Sequence, residues 1–314
     1  MKKGVYLSIV IPVFNEEKNL QPLYNSLKIV LNKIKKPYEI VFVDDGSCDA
    51  SFAVLEKIQK NDKSVHVIKF RKNFGQTAAL DAGFNESEGN IIVSMDADLQ
   101  NDPQDIPKLL DQMNKDHDVV CGWRYNRQDG FFKKIFSNFA NWLRRLVTGE
   151  KIHDSGCSLR AYKKECIEDL DLYGEMHRYV PALLFWKGYK IGEVKVAHNP
   201  RKYGKTKYNV IRLMNGFLDL IVVKFWMEYS TRPIYLFGAL GLLFGFLGFI
   251  IGIYLSMLKL VYGEPIGNRP LLILAVLLIV LGVQFFVFGL MADIMVKIYY
   301  KKNENKKYGI EKKL

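Results

Sequence analysis

Cysteine is scarce, four in 314 residues, and no pair is spaced as Cys-x-x-Cys. Cys48, Cys121, Cys157 and Cys166 thus offer neither a redox motif nor a zinc ribbon, and no disulfide framework is expected of them. The five histidines show no metal-ligand spacing either. No secretory leader is expected either. After Met1-Lys2-Lys3 the apolar run 5–13 is short, has no small-residue cleavage site and passes into Asn15-Glu16-Glu17. The polar part of the chain is therefore expected on the cytoplasmic side. No internal repeat is visible, and compositional bias is confined to the Lys/Asn-rich tail. Most telling is a lack of charge: residues 233–258 and 270–292 contain no Asp, Glu, Lys or Arg.

Each uncharged stretch exceeds the roughly 20 apolar residues that cross a bilayer core as a helix. Both are apolar all round, whereas a helix at a soluble surface alternates faces. Arg232 precedes the first stretch, and Lys297, Lys301, Lys302, Lys306, Lys307, Lys312 and Lys313 follow the second. The connecting loop 259–269 carries only Lys259 and Arg269 as basic residues. This asymmetry predicts both termini inside and a short loop outside. A net charge of +12 could mark a nucleic-acid binder. Its concentration beside the apolar stretches points instead to anionic headgroups, and no nucleic-acid partner is expected.

The first two thirds alternate strand and helix patterns. Strands are predicted at 7–13, 38–44, 65–70 and 90–95, and helices at 20–34, 50–61 and 76–86. Units of about 30 residues predict an α/β domain with a mainly parallel sheet covered on both faces. Further on, a helix is predicted at 103–115, strands at 118–122 and 191–197, and a basic amphipathic helix at 133–148. Residues 208–229 mix apolar residues with Arg212, Asp219, Lys224 and Glu228, the pattern of a helix lying in a membrane interface. The expected organisation is a catalytic domain over 1–207, interfacial helices over 208–231, a transmembrane hairpin over 232–298 and a basic tail over 299–314.

In parallel sheets ligands bind beyond the carboxyl ends of the strands. Asn15 and Glu16, Asp44 and Asp45, and Asp96 and Asp98 all fall there. Asp96-Ala97-Asp98 sets two carboxylates at i, i+2 just past a buried strand, where both can reach one divalent cation. Mg2+ or Mn2+ is commonly held by one or two carboxylates plus substrate phosphates. Standing alone, such a pair would more often be a solvated acidic turn. Ile11-Pro12-Val13-Phe14-Asn15-Glu16 and Val43-Asp44-Asp45-Gly46-Ser47 could form a nucleoside end, since an aromatic stacks on a base and a carboxylate accepts from ring N–H or ribose. Ordinary turn chemistry competes with that reading. Arg201, Lys202, Lys205 and Lys207 form either a solvated basic loop or a lipid-phosphate site at headgroup depth.

In this order IVIPVFNEEKNL, VDDGSCD, RKNFGQTAALDAGF, DADLQNDP, GWRY and NPRKYGKTKY resemble the family 2 inverting glycosyltransferases of GT-A fold, over residues 5–210. Within that family the chain is most similar to the polyprenyl-phosphate glycosyltransferases, including dolichyl-phosphate mannose synthases and bacterial undecaprenyl-phosphate glucosyl- and aminoarabinosyltransferases. The resemblance implies that Pro12, Phe14, Glu16, Val43 and Asp45 contact the nucleoside. It implies that Asp96, Ala97, Asp98 and Gln100 surround the diphosphate, with Asp96, Asp98 and Gln100 holding the metal. Arg124, Arg201 and Lys207 would bind phosphates of donor or lipid acceptor, and Asp154 in DSGCSLRAY would lie near the acceptor. Phe14 stands where Tyr is frequent and Thr206 where Ser is common, while relatives often carry an acidic or aromatic residue at 157 or 158.

The implied reaction is in-line attack by a lipid-phosphate oxygen on the anomeric carbon, with UDP-glucose the expected donor and GDP-mannose the alternative. A phosphate is ionised at neutral pH, so positioning and electrostatics matter more than a strong base. Were the acceptor a hydroxyl, Asp154 would be the candidate base. Membrane lipids are expected neighbours, and a homo-oligomer is compatible with this reading. A processive polysaccharide synthase would carry a Q-x-x-R-W segment, which is missing here. A non-enzymatic scaffold or flippase partner is the rival of another class, and the intact DADLQ argues against it.

Overall fold

Runs of β-branched and aromatic residues build the centre of the sheet. β1 (Leu7–Val13), β2 (Tyr38–Asp44) and β4 (Ile91–Ser94) are buried along nearly their whole length, as parallel strands covered on two faces must be. The computed structural model describes residues 4–125, 145, 147–168, 170, 172, 174–200, 211–267 and 269–302. With β3 (Val65–Lys69), β5 (Val119–Arg124), β6 (Arg160–Lys163) and β7 (Ile191–Val196), the strands form one sheet in the order β3-β2-β1-β4-β6-β5-β7. β1 pairs in parallel with β2 and β4, β2 with β3, and β5 with β7. β6 runs antiparallel between β4 and β5. The α/β, mainly parallel class expected from the strand–helix alternation is the class observed.

Helices cover both faces. Alternating strand residues such as Ile9, Ile11, Ile40 and Phe42 pack with Leu20, Leu23 and Leu27 of α1 (Glu17–Ile34), Leu55 of α2 (Ser51–Asn61) and Leu109 of α4 (Ile106–Met113). The opposite set, including Val10, Val41, Val43 and Ile92, packs with Ala79, Leu80 and Phe84 of α3 (Gln76–Glu86). α5 (Lys164–Glu168) and α6 (Val180–Trp186) complete that side through Cys166, Val180 and Leu184.

Most predicted elements fall within a few residues of those observed. α1 begins three residues before the predicted start: Pro22 lies on its exposed side and is tolerated there although it donates no backbone hydrogen bond. The helix predicted at 103–115 divides into a 3-10 turn, Pro103–Asp105, and α4. The basic helix predicted at 133–148 lies almost wholly outside the described residues.

Contacts divide the chain into two compact units, Met1–Val223 and Lys224–Leu314, the division falling within α7 (Ile211–Tyr229). The second unit contains α8 (Ile234–Leu260) and α9 (Pro270–Lys302), both long and apolar enough to cross a membrane. Little of their apolar surface is covered by protein: Phe246, Phe249, Ile273 and Val283 are all exposed. The two helices meet through glycines. A Cβ on Gly282 would lie 2.6 Å from the Gly245 nitrogen and 2.7 Å from the Gly241 oxygen, so only hydrogen fits between these backbones.

Candidate active site

The strand order reverses between β1 and β4, and the polar residues singled out from sequence gather around the carboxyl ends of β1, β2 and β4. At the β1 end, Asn15 adopts a left-handed backbone (φ 59°), which asparagine tolerates. Its N–H donates to Ser47 Oγ (2.9 Å) and its side-chain oxygen accepts from the Cys48 N–H (2.8 Å). The Glu16 N–H donates to Ser51 Oγ (2.8 Å). These bonds stitch the loop after β1 to the loop after β2. Pro12, Phe14 and Glu16 are partly exposed along it.

Asp45 is buried, and its carboxylate accepts from Asn73 Nδ2 (2.9 Å), the Phe74 N–H (2.7 Å) and the Gly75 N–H (3.0 Å). In this structure it therefore anchors the loop that leads into α3. Gly46 is required at that crossing: its φ is 69°, and a Cβ would lie 2.4 Å from the Lys72 carbonyl carbon. Asp44 accepts from the Ser47 N–H at 3.2 Å and so shapes the same turn. Val43 and Ala97 have buried side chains, which leaves their backbones as the groups available to a ligand.

Asp96 and Asp98 follow β4. Asp98 is almost fully buried and accepts from the Gln100 N–H (3.1 Å). Leu99 between them has φ 61°, a left-handed conformation that is unfavourable for leucine and turns the loop sharply. Burial, and next the charge of Asp98, push the Asp96 carboxyl above its ordinary pKa. The Ser158 side chain and the charges of Arg124 and Arg160 act in the opposite sense. Gln76 Nε2 donates to Asp96 Oδ1 at 2.9 Å.

Arg124, at the end of β5, meets Asp154 in a two-pronged ion pair. Nε lies 2.7 Å from Oδ2 and Nη2 lies 2.9 Å from Oδ1. The N–H groups of Gly156 (3.2 Å) and Arg124 (3.3 Å) also donate to the Asp154 carboxylate. Burial acts to lower the Arg124 pKa, but the bonds and charge of Asp154 outweigh it and raise it. His153 stacks on Trp123, ring centroids 4.3 Å apart, with Nδ1 2.7 Å from Glu193 Oε2. The Asn199 N–H donates to the Gln100 carbonyl (2.9 Å), tying the segment that leads toward Arg201 to the Asp96–Asp98 loop. Arg201 and Lys207 themselves lie outside the described residues.

Sequence reasoning missed Gln76, Ser158 and Arg160. Gln76 lies inside RKNFGQTAALDAGF and Ser158 and Arg160 inside DSGCSLRAY, segments singled out without roles for these three. Arg160 is nearly fully buried, and its guanidinium donates to the carbonyls of Ser155 (2.5 Å) and His177 (3.0 Å). It thereby places a positive charge under the acidic loop.

Among the described residues no group of three or more His, Cys, Asp or Glu side chains forms a ready metal cage. A cation whose shell is completed by nucleotide phosphates needs only the carboxylates of Asp96 and Asp98. A carboxyl raised by burial and a like-charged neighbour is the environment that a divalent ion relieves. The residues present therefore fit Mg2+ or Mn2+.

Residues 8–171 match the family model described as Glycosyl transferase family 2. Over 311 residues the chain is 39% identical to the dodecaprenyl-phosphate galacturonate synthase of Rhizobium johnstonii, covering 98% of this chain and 92% of that protein. It is 35% identical over 309 residues to the undecaprenyl-phosphate 4-deoxy-4-formamido-L-arabinose transferase of Yersinia pestis, covering 98% and 93%. Among solved structures, the glucosyl-3-phosphoglycerate synthase of Mycobacterium tuberculosis, in complex with Mn2+, UDP and glucosyl-3-phosphoglycerate, aligns with a TM-score of 0.56. The alignment covers 72% of this chain and 81% of that one at 16% identity, so it establishes a common fold. With its mixed sheet, its acidic loop at the switch point and relatives matched along nearly its whole length, the chain belongs to glycosyl transferase family 2, among the polyprenyl-phosphate glycosyltransferases.

Proposed function

We propose that the protein transfers a sugar from a nucleoside diphosphate to a polyprenyl phosphate, inverting the anomeric configuration. The observation that carries this reading is the extent of the kinship. Similarity to a dodecaprenyl-phosphate galacturonate synthase covers 98% of the chain, which includes the two long apolar helices as well as the acidic crevice. A lipid-phosphate oxygen attacks the anomeric carbon, the bond from that carbon to the diphosphate breaks, and the nucleoside diphosphate leaves with the electron pair. The nucleoside lies along Pro12, Phe14 and Glu16, with the backbone of Val43 and the loop held by Asp45 beside it. Asp96 and Asp98 hold a divalent cation, with Gln100 next to them, and such an ion supplies electrostatic stabilisation of the leaving diphosphate. Arg124, oriented by Asp154, adds a fixed positive charge for a phosphate.

Asp154 acts here by positioning Arg124. Its carboxylate already accepts from four donors, and an ionised phosphate acceptor has no proton to give up. Arg201 and Lys207 bind the acceptor phosphate. The donor sugar is galacturonate or 4-deoxy-4-formamido-L-arabinose, in line with the named relatives and ahead of the glucose expected from sequence. The catalytic unit and both termini face the cytoplasm, where nucleotide sugars are made.

The test is a donor screen. Purified protein is supplied with undecaprenyl phosphate and nucleotide-linked galacturonate, 4-deoxy-4-formamido-L-arabinose, glucose or mannose, and the lipid product is weighed by mass spectrometry. A product on the lipid with galacturonate or the formamido sugar is expected. Product only on a water-soluble acceptor would overturn the lipid assignment, and product only with glucose or mannose would overturn the choice of sugar.

A further inference from the structure

We propose that Gln76 is a positioning residue for Asp96, holding that carboxylate in the orientation in which it ligates the divalent cation; the inference rests on the cation reading above. A carboxylate at the end of an aspartate turns about a broad, roughly two-fold torsion, so an isolated Asp96 would sample many orientations. A donor from another part of the chain restricts that freedom. Gln76 Nε2, from the first residue of α3, donates to Oδ1 at 2.9 Å. Ser158, just before β6, also favours the ionised Asp96 carboxylate, and its Oγ accepts from Asn101 Nδ2 at 2.7 Å. A carboxylate offers about four acceptor positions, so the Gln76 bond leaves room for a cation.

Gln76 is itself held firmly. The Gly75 N–H before it is bound by Asp45, and Thr77 Oγ1 after it lies 2.7 Å from His177 Nδ1. The first turn of α3 is thus pinned on both sides of the residue that reaches Asp96. Its chemistry suits the task. A lysine here would neutralise Asp96 and repel a cation, and a glutamate would add a third negative charge to a pair already in repulsion. A neutral amide orients the carboxylate and leaves its charge for the ion. Partners one shell beyond a metal change its affinity or the activity by about 10–100-fold when removed.

The experiment uses the full chain in detergent micelles or lipid discs. Mn2+ binding is followed by electron paramagnetic resonance, with Mn2+ alone and with Mn2+ plus UDP, for wild type, Gln76→Ala and Gln76→Asn. Asparagine keeps an amide at the start of the helix but is one methylene short, so it preserves folding and loses the contact. Both variants should bind Mn2+ about 10–100-fold more weakly. Their sugar transfer should recover toward the wild-type rate as Mn2+ is raised to saturation. Unchanged Mn2+ affinity in folded Gln76→Asn overturns the inference. So does transfer that stays low at saturating Mn2+, because Gln76 would then touch substrate. A wild-type protein that binds no Mn2+ in either condition overturns the cation reading itself, and this proposal with it.

Discussion

Each acidic residue of the crevice has a different environment, and the differences assign different work. Asp96 is raised by burial and by Asp98, so without a cation the folded protein holds that proton more tightly than the unfolded chain does. Stability from this group therefore falls as pH climbs from the ordinary aspartate value, near 4, through the raised one. At neutral pH the ionised carboxylate is a cost to folding that the proposed cation would offset. Asp96→Asn should accordingly melt at a higher temperature than wild type in chelator, and Mn2+ should raise the wild-type midpoint more than the variant's. Turnover of the same variant should drop by about two to four orders of magnitude, the rate equivalent of several kcal/mol. Thermal melts and a transfer assay on the same preparations check both halves; full activity in Asp96→Asn would remove the metal from the mechanism. Asp154 calls for a double-mutant cycle. Since it acts through Arg124, the doubly substituted Arg124→Ala, Asp154→Ala protein should be no more than about threefold slower than Arg124→Ala alone. Losses that simply add would mean that Asp154 meets substrate on its own.

At the scale of elements, spacing between backbones decides which substitutions matter. α8 and α9 approach at Gly241, Gly245, Gly248 and Gly282, where an added Cβ on Gly282 would run into backbone atoms at 2.6–2.9 Å. Those neighbours belong to helix backbones and cannot rotate away. Gly282→Ala should push the helices apart and cost about 1–3 kcal/mol, the usual range for overpacking. Gly252→Ala is the matched control, because a Cβ there meets nothing within 4 Å. Comparing the melting midpoints of the two variants in one detergent checks this. Equal midpoints would show that the hairpin adjusts freely. In the catalytic unit, Gly46 plays the corresponding part between the loop after β2 and the loop before α3.

For the whole molecule the open question is which side of the membrane each part occupies, and the cysteines provide a probe. Cys48 is exposed, in the loop after β2. Cys121, Cys157 and Cys166 are buried, and burial pushes their thiols up to about 12, 11 and 12 respectively, which keeps them protonated and inert. Tyr262 is exposed in the turn between α8 and α9. With intact cells, a membrane-impermeant maleimide should label Tyr262→Cys and leave Cys48 untouched until the membrane is permeabilised. Labelling of Cys48 from outside would reverse the proposed orientation and separate the crevice from cytoplasmic nucleotide sugars.

The pattern of residues along the chain was enough for the parts whose physics is local. The apolar run of β1, buried at six of its seven positions, the uncharged lengths within α8 and α9, and the Asp96-x-Asp98 spacing can each be read without knowing what lies beside them. β6 could not be read that way. Arg-Ala-Tyr-Lys has charged ends and is only four residues long, and it becomes a strand because β4 and β5 supply hydrogen-bonding edges on both sides. The same holds for the contacts that give the site its character. Gln76 and Asp96 are 20 residues apart and Arg124 and Asp154 are 30 apart, with no periodicity linking them. Sequence determined which groups were present and at which strand ends. The folded sheet decided which carboxylate is held by loop amides, which by an arginine and which by a side-chain amide, because those outcomes depend on distances that exist only after the chain has closed on itself.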